Sequence, residues 1–333
     1  MQTRKPTGKP PWPILLLAGR EKAGKTWAAL TASASPLIGR TLYIGIGEDD
    51  PDEYALIPGA DFDIVVHDGT YPGILTAIQE AVAEPHEELP TLIVVDSMTR
   101  LWNLIGDNMQ AVANKRAKGR RNPNGDFTVS ADLWNVAASQ WTDIMDALRT
   151  HKGPIILTAR LDSVAVMENG QPTAQKEWKI QGHKSLPFDS SAIVEMRSRG
   201  EFLLTGARSA RIQLERPRPI PSFTVDWLWA ELGLADGTGE RTHATVHADQ
   251  SGAEPAGARP PRPSGAERVK KAVEAFGKAA DLAELNNLWK YAEDQGLAGV
   301  AEVKSAHEER KTALEGTAGP APVDEWAAAP IKP

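Results

Sequence analysis

The 333 residues contain no cysteine, which excludes a disulfide framework, a thiolate metal site and a thiol nucleophile. The same absence fits a reducing compartment. Long apolar runs are also missing. After the basic start Met1-Gln-Thr-Arg-Lys-Pro, the first such run is only Ile14–Ala18, too short for a signal-peptide core or a membrane span of about 20 residues. There is no excess of positive charge either. The formal net charge is −7, so any nucleic-acid contact must come from local basic patches. No internal repeat and no long low-complexity tract is visible. With 41% hydrophobic and 24% charged residues, the chain has the composition of a soluble protein, and we expect a cytoplasmic one without a membrane partner. Its length suits two domains, or one large domain with appendages.

Composition divides the chain. Residues 1–234 mix β-branched runs with helical stretches. Residues 235–265 are rich in Gly, Pro, Ala, Thr and Ser and end in Ala258-Arg-Pro-Pro-Arg-Pro-Ser-Gly265, a composition that cannot offset its ordering entropy and reads as a flexible linker. Residues 266–315 regain helical spacing, with Val269, Val273, Phe276 and Ala280 on one helix. Leu285, Leu288, Trp289 and Ala292 lie on a second that Gly296 would stop, and a third run spans 298–314. Residues 316–333 form an Ala/Pro-rich tail carrying Asp324-Glu-Trp326, expected to be disordered.

Strands are expected at Ile14–Ala18, Thr41–Ile46, Asp63–His67, Thr91–Asp96, Pro154–Ala159, Ala192–Met196, Glu201–Leu204 and Ala210–Glu215. Helices fit at Lys25–Ser35, Gly73–Glu84 and Ala131–Thr150. Several strands are continuous Ile/Leu/Val runs, as strands buried on both faces of a parallel sheet must be. The prediction is an α/β core with a mostly parallel central sheet and an antiparallel extension, plus a small C-terminal helical module.

The chemistry begins at Gly19-Arg20-Glu21-Lys22-Ala23-Gly24-Lys25-Thr26, which fits G-x-x-x-x-G-K-[ST] without mismatch. Glycines let backbone N–H groups turn inward around a phosphate. Lys25 would neutralise the β- and γ-phosphates of ATP, and the Thr26 hydroxyl would ligate Mg²⁺. A chance match in a chain this long has a probability of about 1% from average residue usage, and this one sits between a strand and a helix, as the mechanism requires. Trp27 follows directly and counts among the nucleotide-binding candidates. Leu92-Ile-Val-Val95-Asp96-Ser97 supplies an acidic strand end. Asp96 could merely cap the next helix, but beside a phosphate loop it is expected to hold Mg²⁺ through a water. Hydrolysis also needs a group to orient or deprotonate the attacking water. The strand Thr41–Ile46 runs into Gly47-Glu48-Asp49-Asp50-Pro51, and Glu48 is the expected base. Asp49, Asp50, Asp52 and Glu53 read as solvated turn residues.

These residues together resemble the RecA-like P-loop ATPase family, and are most similar to the compact RecA-core ATPases of bacteriophages, over residues 10–220. The resemblance implies a RecA-like core, ATP and Mg²⁺ as ligands, assembly into a ring or filament, and action on single-stranded DNA in recombination, annealing or replication. It also implies a water-activating role for the residue matching Glu48. Where the family's recombinases carry Gln, this chain reads Ile155-Ile-Leu-Thr158-Ala-Arg160, so Thr158 or Arg160 is expected to sense the γ-phosphate.

Asn114-Lys-Arg-Ala-Lys-Gly-Arg-Arg-Asn-Pro-Asn-Gly125 holds five positive charges and no negative one. Its composition predicts a loop, and Lys115, Arg116, Lys118, Arg120 and Arg121 are candidate phosphate contacts, against the alternative of a solvated insert. The family places its first DNA-facing loop here and its second between Arg160 and Leu186. In that second segment Trp178 could stack on a base or simply pack with its edge exposed. Lys176, Lys179, Lys184, Arg197 and Arg199 are candidates for a finger reaching a neighbouring subunit's γ-phosphate. His183 reads as a hydrogen-bonded structural residue. The C-terminal module is expected to engage a replication or recombination partner. Two other functions stay open: a hexameric helicase motor, and a nucleotide-switched scaffold with no DNA role.

Overall fold

The structure, a computed structural model, describes residues 1, 3–48, 50–85, 88–168, 170–239, 241, 265–294 and 297–316. The chain divides into two compact units, Met1–Val246 and His247–Pro333. Of the expected linker, residues 240 and 242–264 lie outside the described residues, as do Asp49, Asn169, Gly296 and residues 317–333 of the expected tail.

The larger unit opens with strand β1 (Ile14–Gly19), helix α1 (Lys25–Thr31) and strands β2 (Arg40–Gly45) and β3 (Asp63–Ile64). Helix α2 (Tyr71–Ala83), strand β4 (Thr91–Asp96) and helices α3 (Met98–Arg116) and α4 (Ala131–Thr150) follow. A long hairpin comes next, β5 (Ile155–Glu168) and β6 (Gln171–Gln181), then the short helix α5 (Leu186–Asp189). Strands β7 (Ala192–Ser198), β8 (Glu201–Ala207) and β9 (Arg218–Ile220) and helix α6 (Val225–Glu231) complete it.

Among the described residues, nine strands join one sheet in the order β3-β2-β4-β5-β1-β7-β8-β9, with β6 paired to β5. The strands from β3 to β7 run parallel; β6, β8 and β9 add antiparallel pairs. The aliphatic runs explain the parallel centre. Every residue of β1 and β4 is buried, and alternate side chains enter opposite layers. Leu16 and Ile93 pack with Ile78, Leu101, Trp141 and Ile144 on the side of α2, α3 and α4. Leu15, Leu17 and Ile156 pack with Leu30, Leu228 and Trp229 on the side of α1 and α6. The fold class is the expected one.

Four details differ from expectation. The strand expected at Asp63–His67 stops at Ile64, and His67 instead places its Nε2 2.8 Å from the Gly45 carbonyl. Ala210–Glu215 forms no strand: its alternation reflects the inward-facing Ile212 and Leu214, while β8 pairs with β9. The segment after Arg160 is an antiparallel hairpin, not a loop, with a bulge between Ala165 and Met167. Helix α3 occupies the stretch up to Arg116, burying Met98, Leu101, Ile105, Met109 and Ala113 at helical spacing.

The second unit holds α7 (Gly265–Lys278), α8 (Leu282–Asp294) and α9 (Ala301–Gly316) around Phe276, Leu285, Ala292 and Val303. Ala280 falls between α7 and α8, where its N–H donates to Glu284 at 2.8 Å.

Because Leu16 is fully buried between β5 and β7 and their flanking helices, Leu16→Ala should cost about 2–5 kcal/mol in urea unfolding. A loss below about 1 kcal/mol would show that the sheet centre repacks around the cavity.

Candidate functional site

The site lies at the carboxyl ends of β1, β4 and β2, beside the stretch of β5 that carries Thr158 and Arg160. Register sets the neighbours: Gly19 pairs with Arg160, Leu17 with Thr158, and Gly45 with Asp96.

The turn after β1 is wound tightly. A side chain at Gly19 would sit 2.9 Å from Met196 Cβ, and the next N–H, of Arg20, donates to the Met196 carbonyl at 3.1 Å. Gly24 takes φ +96 to enter α1, a conformation glycine adopts without a Cβ penalty. Lys25 folds back into this turn, donating to the Gly19 and Arg20 carbonyls at 3.1 and 3.0 Å. Burial holds its ammonium below the ordinary lysine value, against the pull of Asp96 and Glu48 and with a small push from Arg160.

Thr26 Oγ1 donates to Asp96 Oδ2 at 2.6 Å. Asp96 is 2% exposed and receives two more hydroxyls, Thr158 on Oδ1 and Tyr43 on Oδ2 at 3.3 Å. Burial pushes the Tyr43 phenol far above its ordinary value, with the Asp96 charge adding to it, so Tyr43 stays a donor.

Glu48 sits across from these groups. It accepts from Ser97 Oγ at 2.7 Å, and Arg160 Nη2 donates to both of its oxygens at 3.1 and 3.3 Å. The turn carrying it is tied to the β4–α3 junction, since Ile46 N–H donates to the Asp96 carbonyl and Arg100 Nε to the Gly47 carbonyl.

The structure therefore brings together the Gly19–Thr26 turn, Glu48, Asp96, Thr158 and Arg160. Arg20, Glu21 and Lys22 are exposed on the turn, Ala23 is buried beneath it, and Trp27 faces outward, edge-on to Tyr54 at 6.4 Å. Sequence reasoning misses Tyr43 and Ser97. Tyr43 lies inside an aliphatic strand and reads as core, and only the adjacency of Ser97 to Asp96 hints at its role.

The donor set suits a hard divalent cation: a hydroxyl and a carboxylate oxygen 2.6 Å apart beside a lysine. It equally suits a phosphate chain, since the glycine turn leaves no side chain in the way. Among the described residues no group of three or more His, Asp or Glu forms another metal site.

The basic segment is only partly a loop, because α3 continues through Lys115 and Arg116. Its last turn tolerates these cations well, next to the unpaired carbonyls of the helix end. Arg116 pairs with Asp132, and Arg121 lies over the Phe127 ring at 4.5 Å. Lys118 and Arg120 are exposed on the connecting turn.

On the hairpin, Lys176 and Lys179 are exposed on β6. Trp178 is half-buried against the core, with Arg197 above its ring at 5.3 Å. Arg197 also pairs with Glu195. Lys184 and Arg199 are exposed. His183 packs between Trp102 and Trp141, with Nδ1 2.8 Å from Ser185 Oγ; burial holds its pKa below the ordinary value. No described helix is long and apolar enough to cross a membrane.

Comparison with known proteins adds a family match. Residues 13–217 match the family model described as an AAA domain. Among solved structures, the chain is similar to the RadB recombinase at 17% identity and a TM-score of 0.37, covering 64% of this chain and 86% of that one. It is similar to a second solved structure, an ATPase domain, at 10% identity and a TM-score of 0.32, covering 59% and 77%. A prototypical ATPase from the type III secretion system of pathogenic bacteria aligns at 13% identity and a TM-score of 0.30, covering 91% and 73%. No curated protein matches the chain.

The buried Asp96 carboxylate should depend on its hydroxyl donors. Thr158→Val keeps the shape but removes one donor, and should cost about 1–3 kcal/mol in urea unfolding. Unchanged stability would mean that the other two hydroxyls suffice.

Proposed function

The chain belongs to the AAA-domain family, and we propose that it is a RecA-like P-loop ATPase that hydrolyses ATP with Mg²⁺ while assembled on single-stranded DNA, in phage-type recombination, annealing or replication in the cytoplasm. The observation that carries the ATPase reading is the convergence of Lys25, the Thr26–Asp96 pair and Glu48 at one sheet edge.

In this reading the turn from Gly19 to Thr26 cradles the phosphates with its N–H groups, and Lys25 leaves the Gly19 and Arg20 carbonyls to meet the β- and γ-phosphates. Thr26 would hold Mg²⁺ directly and Asp96 through a water, and the ion would neutralise charge on the phosphate oxygens. Glu48 orients and deprotonates the attacking water. Arg160, now paired to Glu48, is the γ-phosphate sensor: a competing phosphate draws the guanidinium away and frees the carboxylate. Thr158 acts behind it by holding Asp96.

Lys118 and Arg120 on the turn after α3, with Lys115 on its last turn, form the DNA contact. Lys176, Lys179, Lys184 and Arg199 remain open to a neighbouring subunit. Residues 1–234 form the ATPase core, and 266–315 a helical module that recruits a replication or recombination partner.

Lys25→Ala should abolish ATP binding in calorimetry, because the phosphates lose their compensating charge. Glu48→Gln should bind ATP normally and lose turnover by about 10²-fold or more. Full turnover in Glu48→Gln would move the catalytic role elsewhere in the 47–53 turn.

Replacing Lys115, Lys118 and Arg120 by Ser should weaken single-strand binding. It should also flatten the slope of log K against log salt by up to about 2 units, at about 0.7 per released counterion. Basal hydrolysis should be unchanged, since none of the three touches the site. An unaltered slope would make this segment a solvated insert, and ATP turnover indifferent to DNA would favour the scaffold alternative.

A further inference from the structure

A second charged cavity lies at the other end of the sheet. It opens beside Ile14 and Ser191, at the amino ends of β1 and β7, whereas the P-loop leaves the carboxyl end of β1. Its volume is about 760 Å³. Among the described residues six cations line it: Arg4, Lys9, Arg149, Arg208, Arg211 and Arg241. In a chain of net charge −7 this is a pronounced local reversal of sign.

Among the described residues, the acids near the cavity are already engaged. Asp189 lines the cavity but pairs with Arg149 and accepts from Ser185 Oγ at 2.7 Å. Asp236 feels Arg211, yet its carboxylate accepts from Thr238 N–H and O–H at 3.1 and 2.8 Å.

Arg241 is the sharpest feature. Its Nε and Nη2 donate to the Trp12 carbonyl at 3.1 and 2.6 Å, while Nη1 is buried without a hydrogen-bond partner among the described residues. Burial pulls the pKa of this guanidinium down to about 10. A buried donor without an acceptor costs free energy, and an oxyanion would remove that cost and the charge imbalance together. Arg208 spends its backbone N–H on the Ser191 carbonyl and one guanidinium nitrogen on the Phe188 carbonyl at 3.3 Å; its other guanidinium donors have no partner among the described residues.

We propose that this cavity is a binding site for a phosphate ester or oligophosphate, separate from the P-loop. Guanidinium forks match phosphate oxygens two at a time, and a multiply charged phosphate balances several of them where a single carboxylate would not. The volume falls within the range of about 300–1,000 Å³ usual for small-ligand sites. Pro10, Pro11 and Leu232 supply an apolar wall for the organic part of an ester. The inference does not depend on the ATPase reading, because no residue is shared with that site.

The test uses the full-length Lys25→Ala chain, so that the P-loop does not compete, titrated in a calorimeter with inorganic pyrophosphate and with thymidine 5′-monophosphate. Binding of at least one probe is expected, weakening as salt is raised. Adding Arg208→Ala and Arg211→Ala, two changes at the cavity mouth, should weaken it by about tenfold or more. Arg241→Gln should do the same; because Arg241 also holds the Trp12 carbonyl, its melting curve is recorded alongside to establish that the variant is folded. Preference for pyrophosphate would define an oligophosphate site, and preference for the monophosphate a site for an ester. Absence of binding by both probes, or unchanged affinity in the Arg208/Arg211 double variant, would overturn the proposal.

Discussion

A carboxylate buried to 2% exposure survives only if its charge is answered, and Asp96 is answered by three hydroxyls from three elements. Thr26 reaches it from α1, Tyr43 from β2 and Thr158 from β5. Desolvating such a group costs several kcal/mol, so these bonds constrain how the surrounding strands can shift. The sheet order makes the arrangement possible: β5 lies between β1 and β4, and β2 flanks β4 on the other side. The parallel strands and their two apolar layers thus serve to hold one charge at a strand end.

Around that charge the site is organised as a chain of contacts. Asp96 continues directly into Ser97, Ser97 holds Glu48, and Glu48 holds Arg160. Arg160 in turn belongs to the strand that carries Thr158 back to Asp96. Its own N–H is committed as well, since it donates to Thr99 Oγ1, which donates onward to the Gln181 carbonyl at the far side of the hairpin. A change in the partner of Glu48 therefore bears on the base of the β5–β6 hairpin through bonded and hydrogen-bonded links alone.

How much of this was legible in the sequence follows from what each residue had to satisfy. The P-loop was readable because its glycines and Lys25-Thr26 have few alternative uses, and β1 and β4 because two-sided burial forces continuous aliphatic runs. Helix α3 carried its signal openly, with apolar residues at 98, 101, 105, 109 and 113; the cluster of charge and glycine just beyond drew the expectation of a loop backwards into its last turn. The hairpin carried no signal of that kind. From Asp162 onward its residues are exposed or half-buried, and the apolar run Val164–Met167 is only four residues long. In β6 only Trp178 and Ile180 alternate inward, too short a pattern to mark two long strands. Tyr43 and Arg160 illustrate a different limit. Their partners, Asp96 and Glu48, are distant in sequence, and only the strand order brings them within reach.

The unbroken course of β5 has a mechanical consequence. From Arg160 the strand runs on to Glu168 without a change of element, so it behaves as a cantilever clamped beside Glu48 and Asp96. Roughly eight residues of extended chain span about 26 Å at about 3.3 Å per residue. A tilt of about 5° at the clamp would carry the free end through about 2 Å over that length. The bulge between Ala165 and Met167 lies past the middle of the beam, so flexure concentrated there would redirect the tip while leaving the clamped half straight.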